Sequence, residues 1–233
     1  MYKNPLLLLL HDRHADFLAR SAKPVVFGAG AVIRGPQTPS SNVIFPETGL
    51  VAILTTLEHE VIEVGMVGAS GASVPTSLFD TDAVDEAEIA VIDVSGWSMS
   101  PTDLAAILDE DPRARAAFSR NGEYMLRQAR QLAACHAWHP LDQRLATWLL
   151  RASEIGRTQA FHLTQRRLAN FLGVSHASLS TAAYKLLRSG TLDYMKGRLR
   201  IVDSTGLEAR ACSCHRVLHE DHHRLSQLLN AGG

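Results

Sequence analysis

Between Gln165 and Tyr184 the chain reads QRRLANFLGVSHASLSTAAY, twenty residues spaced as two short helices joined by a tight turn. Ala169 falls where the first helix must pack closely on the second, a place that admits only a small side chain. Gly173 stands four residues on, at the turn, where a left-handed backbone suits glycine and strains almost any other residue. Leu168, Leu172, Val174, Leu179 and Ala182 are spaced to face inward. Thr164 can cap the first helix and Ser175 the second. This spacing predicts a helix-turn-helix. The outward positions of its second helix are Ser175, His176, Ala177, Ser178, Ser180 and Thr181, with Tyr184 near the far end, and they would face duplex DNA if the motif docks there.

After Gly190, which suits the end of a helix, comes TLDYMKGRLRIVD. Lys196-Gly197 makes a hairpin turn between Leu192–Tyr194 and Leu199–Val202, and this hairpin reads as the wing of a winged helix. Phosphate contacts are expected from Gln165, Arg166 and Arg167 on the first helix, Lys185 and Arg188 on the second, and Lys196, Arg198 and Arg200 on the wing. Arg151 and Arg157 read instead as solvated surface charges. From Leu141 to Ile201 there are 10 basic and 3 acidic residues. The net charge of −1 hides a wider split: residues 1–117 carry 7 Lys/Arg against 16 Asp/Glu, and residues 118–233 carry 16 against 8. An acidic half joined to a basic half is expected when only one of them must approach a polyanion; chance surface charge is the alternative.

Upstream, Pro5 to Leu18 has the pattern of a short helix. From Val25 to about Asp93 the runs VVF, AVI, NVIF, GLVAIL, HEVIEVGMVG and AEIAVIDV alternate with glycines and prolines, which predicts many brief strands in a β-sandwich or barrel. Residues 101–111 restart as a helix behind Pro101. Residues 113–138 form the longest helical pattern: Phe118, Met125 and Leu132 recur every seven residues, with Gly122, Ala129 and His136 at the four-residue offset. Such a seam of large and small side chains fits a parallel dimer helix; packing on the chain's own β-domain would produce it too. His139-Pro140 ends the helix and is the expected boundary, followed by an amphipathic helix from Leu141 to Glu154. The expected division is therefore residues 1–112, 113–139 and 140–233.

Cys135, Cys212 and Cys214 are too few for a disulfide scaffold, and imply a reducing compartment. The apolar run Leu6 to Leu10 is closed at once by His11, Asp12 and Arg13, and no stretch approaches a membrane span. A cytoplasmic protein without membrane contact is expected.

These residues resemble the CRP/FNR family of bacterial transcription regulators along nearly the whole chain. NVIFPETGLVAIL and EVGMVGASG resemble strands and a turn of its sensor β-roll, and LDQRLATWLL resembles the helix leading to its DNA-binding domain. LTQRRLANFLGVSHASLSTAAYKLLRSGTLDYMKGRLRIVD resembles its winged helix-turn-helix. The resemblance implies an α+β fold: an N-terminal β-roll (double-stranded β-helix, jelly-roll-like), a long dimerisation helix, and a C-terminal winged helix-turn-helix. It also implies a homodimer on a two-fold-related operator in double-stranded DNA, with RNA polymerase as a further candidate partner. Members that bind cyclic AMP carry an arginine for its phosphate. Gly68 to Ala90 holds Gly71-Ala72-Ser73 and no arginine, so a cyclic nucleotide is not expected. The first cysteine is Cys135, which leaves no ligands for the family's N-terminal iron–sulfur centre. His59, with Cys135 or His136, could suggest a haem, but such lone residues read better as structural. His176 stands where many relatives carry a guanine-reading arginine, and Ala177 replaces a common glutamate, so an unusual target with poorer discrimination is expected.

Cys212-Ser213-Cys214-His215, with His219, His222 and His223, could be read as a metal site. The C-x-C spacing fits tetrahedral zinc poorly, so buried thiols on a C-terminal helix are the preferred reading. No cofactor, metal or catalytic residue is expected, and no small-molecule effector is identified. Two alternatives stay open: a β-roll ligand-binding protein or cupin-like enzyme with an appended DNA-binding module, and a weakly specific architectural DNA binder.

Overall fold

The computed structural model describes residues 1–35, 42–57, 60–75, 86–195 and 197–230. The chain opens with α1 (Pro5–Ser21), capped by the buried Asn4, whose carboxamide oxygen accepts from the Leu6 and Leu7 amides. An antiparallel β-roll follows: β1 (Lys23–Phe27), β2 (Val32–Arg34), β3 (Val43–Leu57), β4 (Glu60–Val67) and β5 (Glu86–Met99). The sheet order is β1-β5-β3-β4, with β2 also paired to β5. NVIF and GLVAIL, separate runs in the sequence pattern, are one bent strand of 15 residues, β3. Its register against β5 shifts between Pro46 and Val51, and Gly49 (φ +91°) supplies the bend. A β-carbon at Gly49 would lie 2.3 Å from the carbonyl oxygen of Asp93, so only glycine lets the two long strands close here.

α2 (Pro101–Glu110) and α3 (Pro112–Trp138) carry proline at their first turns and are capped by Ser100 and Asp111. α3 ends where the extended backbone of His139 precedes Pro140, and α4 (Leu141–Gly156) restarts the helix. The winged helix-turn-helix comprises β6 (Ala160–Phe161), α5 (Gln165–Phe171), α6 (His176–Arg188), β7 (Leu192–Met195) and β8 (Arg198–Ile201). α7 (Ser204–Glu208) and α8 (Cys214–Asn230) close the chain. No described helix is long and apolar enough to cross a membrane.

The largest hydrophobic cluster crosses the break at His139-Pro140. It joins Leu50, Leu54, Met66 and Val91 of the β-roll to Trp148, Leu149 and Ile155 of α4, and to Phe171, Leu179 and Leu186 of the helix-turn-helix. The backbone breaks there, but the packing is continuous.

The expected dimer seam divides into two faces. Phe118 packs edge-on against Phe45 of β3, Met125 lies against Gly65 of β4, and Leu132 is buried with Cys135, Cys212 and Leu218. The seven-residue stripe therefore packs against the chain's own fold, the alternative origin of the pattern. The offset stripe points away: Gly122 is open, Ala129 and His136 are half-buried, and Leu126 between them is 49% exposed.

Candidate nucleic-acid interface

The helix-turn-helix is built as its residues require. The Thr164 hydroxyl accepts from the Arg167 amide, and the Ser175 hydroxyl accepts from the Ser178 amide, at 3.2 Å each. Ala169 is buried between the helices, with Leu168, Leu172, Leu179 and Ala182. Gly173 has φ +61°, the left-handed turn that its position predicts. A side-chain hydrogen bond also joins the helices, since the Ser180 hydroxyl donates to Gln165 Oε1 at 3.0 Å. These two expected DNA contacts are thus partly spent on each other.

With its core-facing side fixed, α6 leaves Ser175, His176, Ala177, Ser178 and Thr181 exposed along its N-terminal half. Tyr184, 60% exposed, continues this face, and the Arg188 guanidinium stands 5.9 Å from its ring centroid. Lys185 reaches back to Asp142 of α4 at 3.0 Å, and that bond holds the Asp142 carboxyl below the usual carboxylate range. Arg166 is exposed at the start of α5.

The β7–β8 hairpin turns through Gly197 (φ +77°), and its third partner is β6, paired to β8 at Arg200 and Leu199. Arg198 is exposed; Arg200 is exposed beside Asp193, 3.5 Å away. Lys196 lies outside the described residues.

Two arginines take roles that their sequence positions do not reveal. Arg167, expected on phosphate, donates to the carbonyl oxygen of Gly30 in the β-roll at 3.3 Å. Arg151, read as a solvated charge, is 2% exposed. It lies 3.5 Å from Glu63 of β4 and donates to Gln128 Oε1 of α3 at 2.7 Å. Gln128 in turn bonds both backbone groups of Met66 at 3.1 Å. Burial pushes the Glu63 carboxyl up, against the lowering pull of Arg151. Arg144, which lies in LDQRLATWLL but has no contact assigned from the sequence, donates to the carbonyl oxygen of Leu172 at 2.5 Å and ties α4 to the turn of the motif.

The β-roll contains a buried arginine, Arg34, but Glu88 occupies it at 2.5 Å, and its other branch donates to the Asn42 carbonyl oxygen. The Ser73 hydroxyl bonds the same Glu88 oxygen. Arg34 is thus already neutralised within the fold. His59, the strand histidine considered for haem, lies outside the described residues.

Residues 143–210 match the model of the Crp-like helix-turn-helix domain. No curated protein matches the chain. Among solved structures, a transcriptional regulator of the CRP/FNR family from Eubacterium rectale is 16% identical with a TM-score of 0.72; the match covers 88% of this chain and 97% of that one. A CRP-family transcriptional regulator from Thermus thermophilus is 18% identical with a TM-score of 0.67, covering 80% of this chain and 96% of its own. FixK2 from Bradyrhizobium japonicum is 18% identical with a TM-score of 0.66, covering 82% and 98%. Residues 143–210 therefore match a Crp-like helix-turn-helix domain, set within a chain whose fold is that of CRP/FNR-family regulators.

Proposed function

We propose that the chain acts as a homodimeric transcription regulator whose two α6 helices read a two-fold-related operator, without a cyclic nucleotide as its signal. The exposed N-terminal half of α6, from Ser175 to Thr181, carries this reading. It presents hydroxyls, a methyl group and one imidazole to a groove, flanked by Arg166, Arg188 and Arg198 for phosphate. Two such helices one helical turn apart, about 34 Å, would set the half-site spacing. The outward stripe of Gly122, Leu126 and Ala129 supports pairing of α3 with its copy, because small residues let two helices approach closely. The neutralised Arg34 and the arginine-free turn at residues 68–73 support a signal other than a cyclic phosphate.

Selection of bound fragments from randomised duplex DNA tests the proposal. A recovered site with two-fold symmetry supports it. Binding that depends on salt but has no sequence preference would favour the architectural alternative. Contact with RNA polymerase and a site of action in the cytoplasm belong to this proposal, as does the absence of enzymatic activity.

A further inference from the structure

Three thiols and one imidazole converge where α3 ends and α8 begins. Cys135 lies in the last turn of α3, and His139 is the cap of that helix. Cys212 and Cys214 flank the start of α8; Cys135 and Cys212 are 77 positions apart in the chain. The four ligand atoms, three Sγ and one ring nitrogen, all lie within 4.8 Å of one another. Cys135 Sγ is 3.5 Å from Cys212 Sγ, and Cys214 Sγ is 3.4 Å from Nδ1 of His139. Zinc holds sulfur at about 2.3 Å and imidazole nitrogen at about 2.0–2.1 Å, so a tetrahedral site has edges of about 3.8 Å between sulfurs and about 3.6 Å between sulfur and nitrogen. The observed separations match those edges to a few tenths of an ångström. They are far from the about 2.04 Å of a disulfide.

The surroundings fit a closed metal site. All three thiols are buried, with Leu132 and Leu218 as apolar wall. The Gln131 carboxamide donates to Cys214 Sγ at 3.0 Å, and the Thr147 hydroxyl lies 3.0 Å from Cys212 Sγ, which places polar partners on two of the would-be thiolates. No carboxylate enters the set, and three sulfurs with one imidazole form a soft donor group. A second cluster, Glu154 with His219 and His223, is partly exposed and offers three ligands, with His219 already 2.8 Å from Glu154.

We infer that Cys135, His139, Cys212 and Cys214 bind one zinc ion in a closed tetrahedral site. Binding replaces up to three S–H protons with three Zn–S bonds and releases those protons, with no change of oxidation state. Four protein ligands leave no open position, so the ion is structural. It clips the C-terminal helix to the junction between α3 and α4, beside the His139-Pro140 break that joins β-roll and DNA-binding helices. The inference does not depend on which DNA sequence, or whether any, the protein recognises.

The test uses the full chain, purified under reducing conditions without chelator or polyhistidine tag. Elemental analysis is expected to find one zinc per chain. Replacement by cobalt is expected to give sulfur-to-cobalt charge transfer in the near ultraviolet and the strong visible bands of tetrahedral cobalt. Cys214→Ser should weaken zinc binding by more than the about 10- to 100-fold typical of losing a ligand's hydrogen-bonding partner. Cys135→Ser could disturb the core, so His139→Cys serves as the second variant: it should keep one metal per chain and intensify the charge-transfer band. Three results would overturn the site: wild-type protein of native circular dichroism with neither zinc nor a cobalt band, Cys214→Ser binding metal as tightly as wild type, or a Cys135–Cys212 disulfide in freshly isolated reduced protein.

Discussion

Arg151 and Glu63 lie 3.5 Å apart with both side chains almost wholly buried, one on the helix that leads into the DNA-binding motif and the other on a β-roll strand. Gln128 of α3 bonds Arg151 and the Met66 backbone, so three parts of the molecule share one polar junction. Arg151→Met would leave Glu63 buried without its partner and should cost about 3–5 kcal/mol, read from urea unfolding. The double variant Arg151→Met/Glu63→Gln should recover part of that loss. Equal stability of the single variant and wild type would show that the junction contributes little.

Gly173 combines a left-handed backbone with close packing: a β-carbon there would lie 2.8 Å from Cδ1 of Ile62 on β4. Gly173→Val should therefore lose about 1–3 kcal/mol to backbone strain, with the contact adding to it, and lose operator binding in gel-shift titration. A fully active variant would contradict the turn geometry.

Arg198 and Arg200 extend from the wing, one free of described ion pairs and the other beside Asp193. Arg198→Ala/Arg200→Ala should weaken binding to all duplex sequences alike. The salt dependence should flatten by about 0.9 for each phosphate that the variant no longer neutralises. An unchanged slope would take the wing off the DNA.

The outward stripe of α3 makes Ala129 the sensitive position for pairing, since Gly122 and Leu126 share its face. Ala129→Glu should shift the protein toward monomer in analytical ultracentrifugation while leaving its circular dichroism unchanged. Phe118→Ala should instead cost about 3–5 kcal/mol of stability, because that ring belongs to the β-roll core.

His222 of α8 packs against α3, where its Nδ1 lies 3.3 Å from the Tyr124 hydroxyl. Burial holds its pKa below the usual histidine value. A lowered folded-state pKa gives stability that is present above about pH 6.5 and lost as pH falls through the folded value. The melting temperature should drop between pH 7.5 and 5.5, with a slope from this group of at most about 1.4 kcal/mol per pH unit. His222→Asn should flatten that drop; an identical pH dependence would remove His222 as its source.

The helix-turn-helix, its two caps, the glycine turn and the wing could be read from the sequence because each depends on neighbours within about a turn of chain. Side-chain spacing and backbone preference act locally, so QRRLANFLGVSHASLSTAAY carries its own geometry. The strand content of the β-roll was legible for the same reason, although Pro46 and Gly49 looked like strand ends and prove to be a bend in β3. Tertiary packing alone decided where the charges and large side chains of the remaining helices point. It buried Arg151 on Glu63, turned Arg167 to Gly30, and set Phe118, Met125 and Leu132 against the chain's own fold. Cys135 and His139 met Cys212 and Cys214 only because α8 folds back on α3, a contact that no local pattern encodes. Periodicity fixes which residues share a face, whereas the partner that covers that face is chosen by the assembled core.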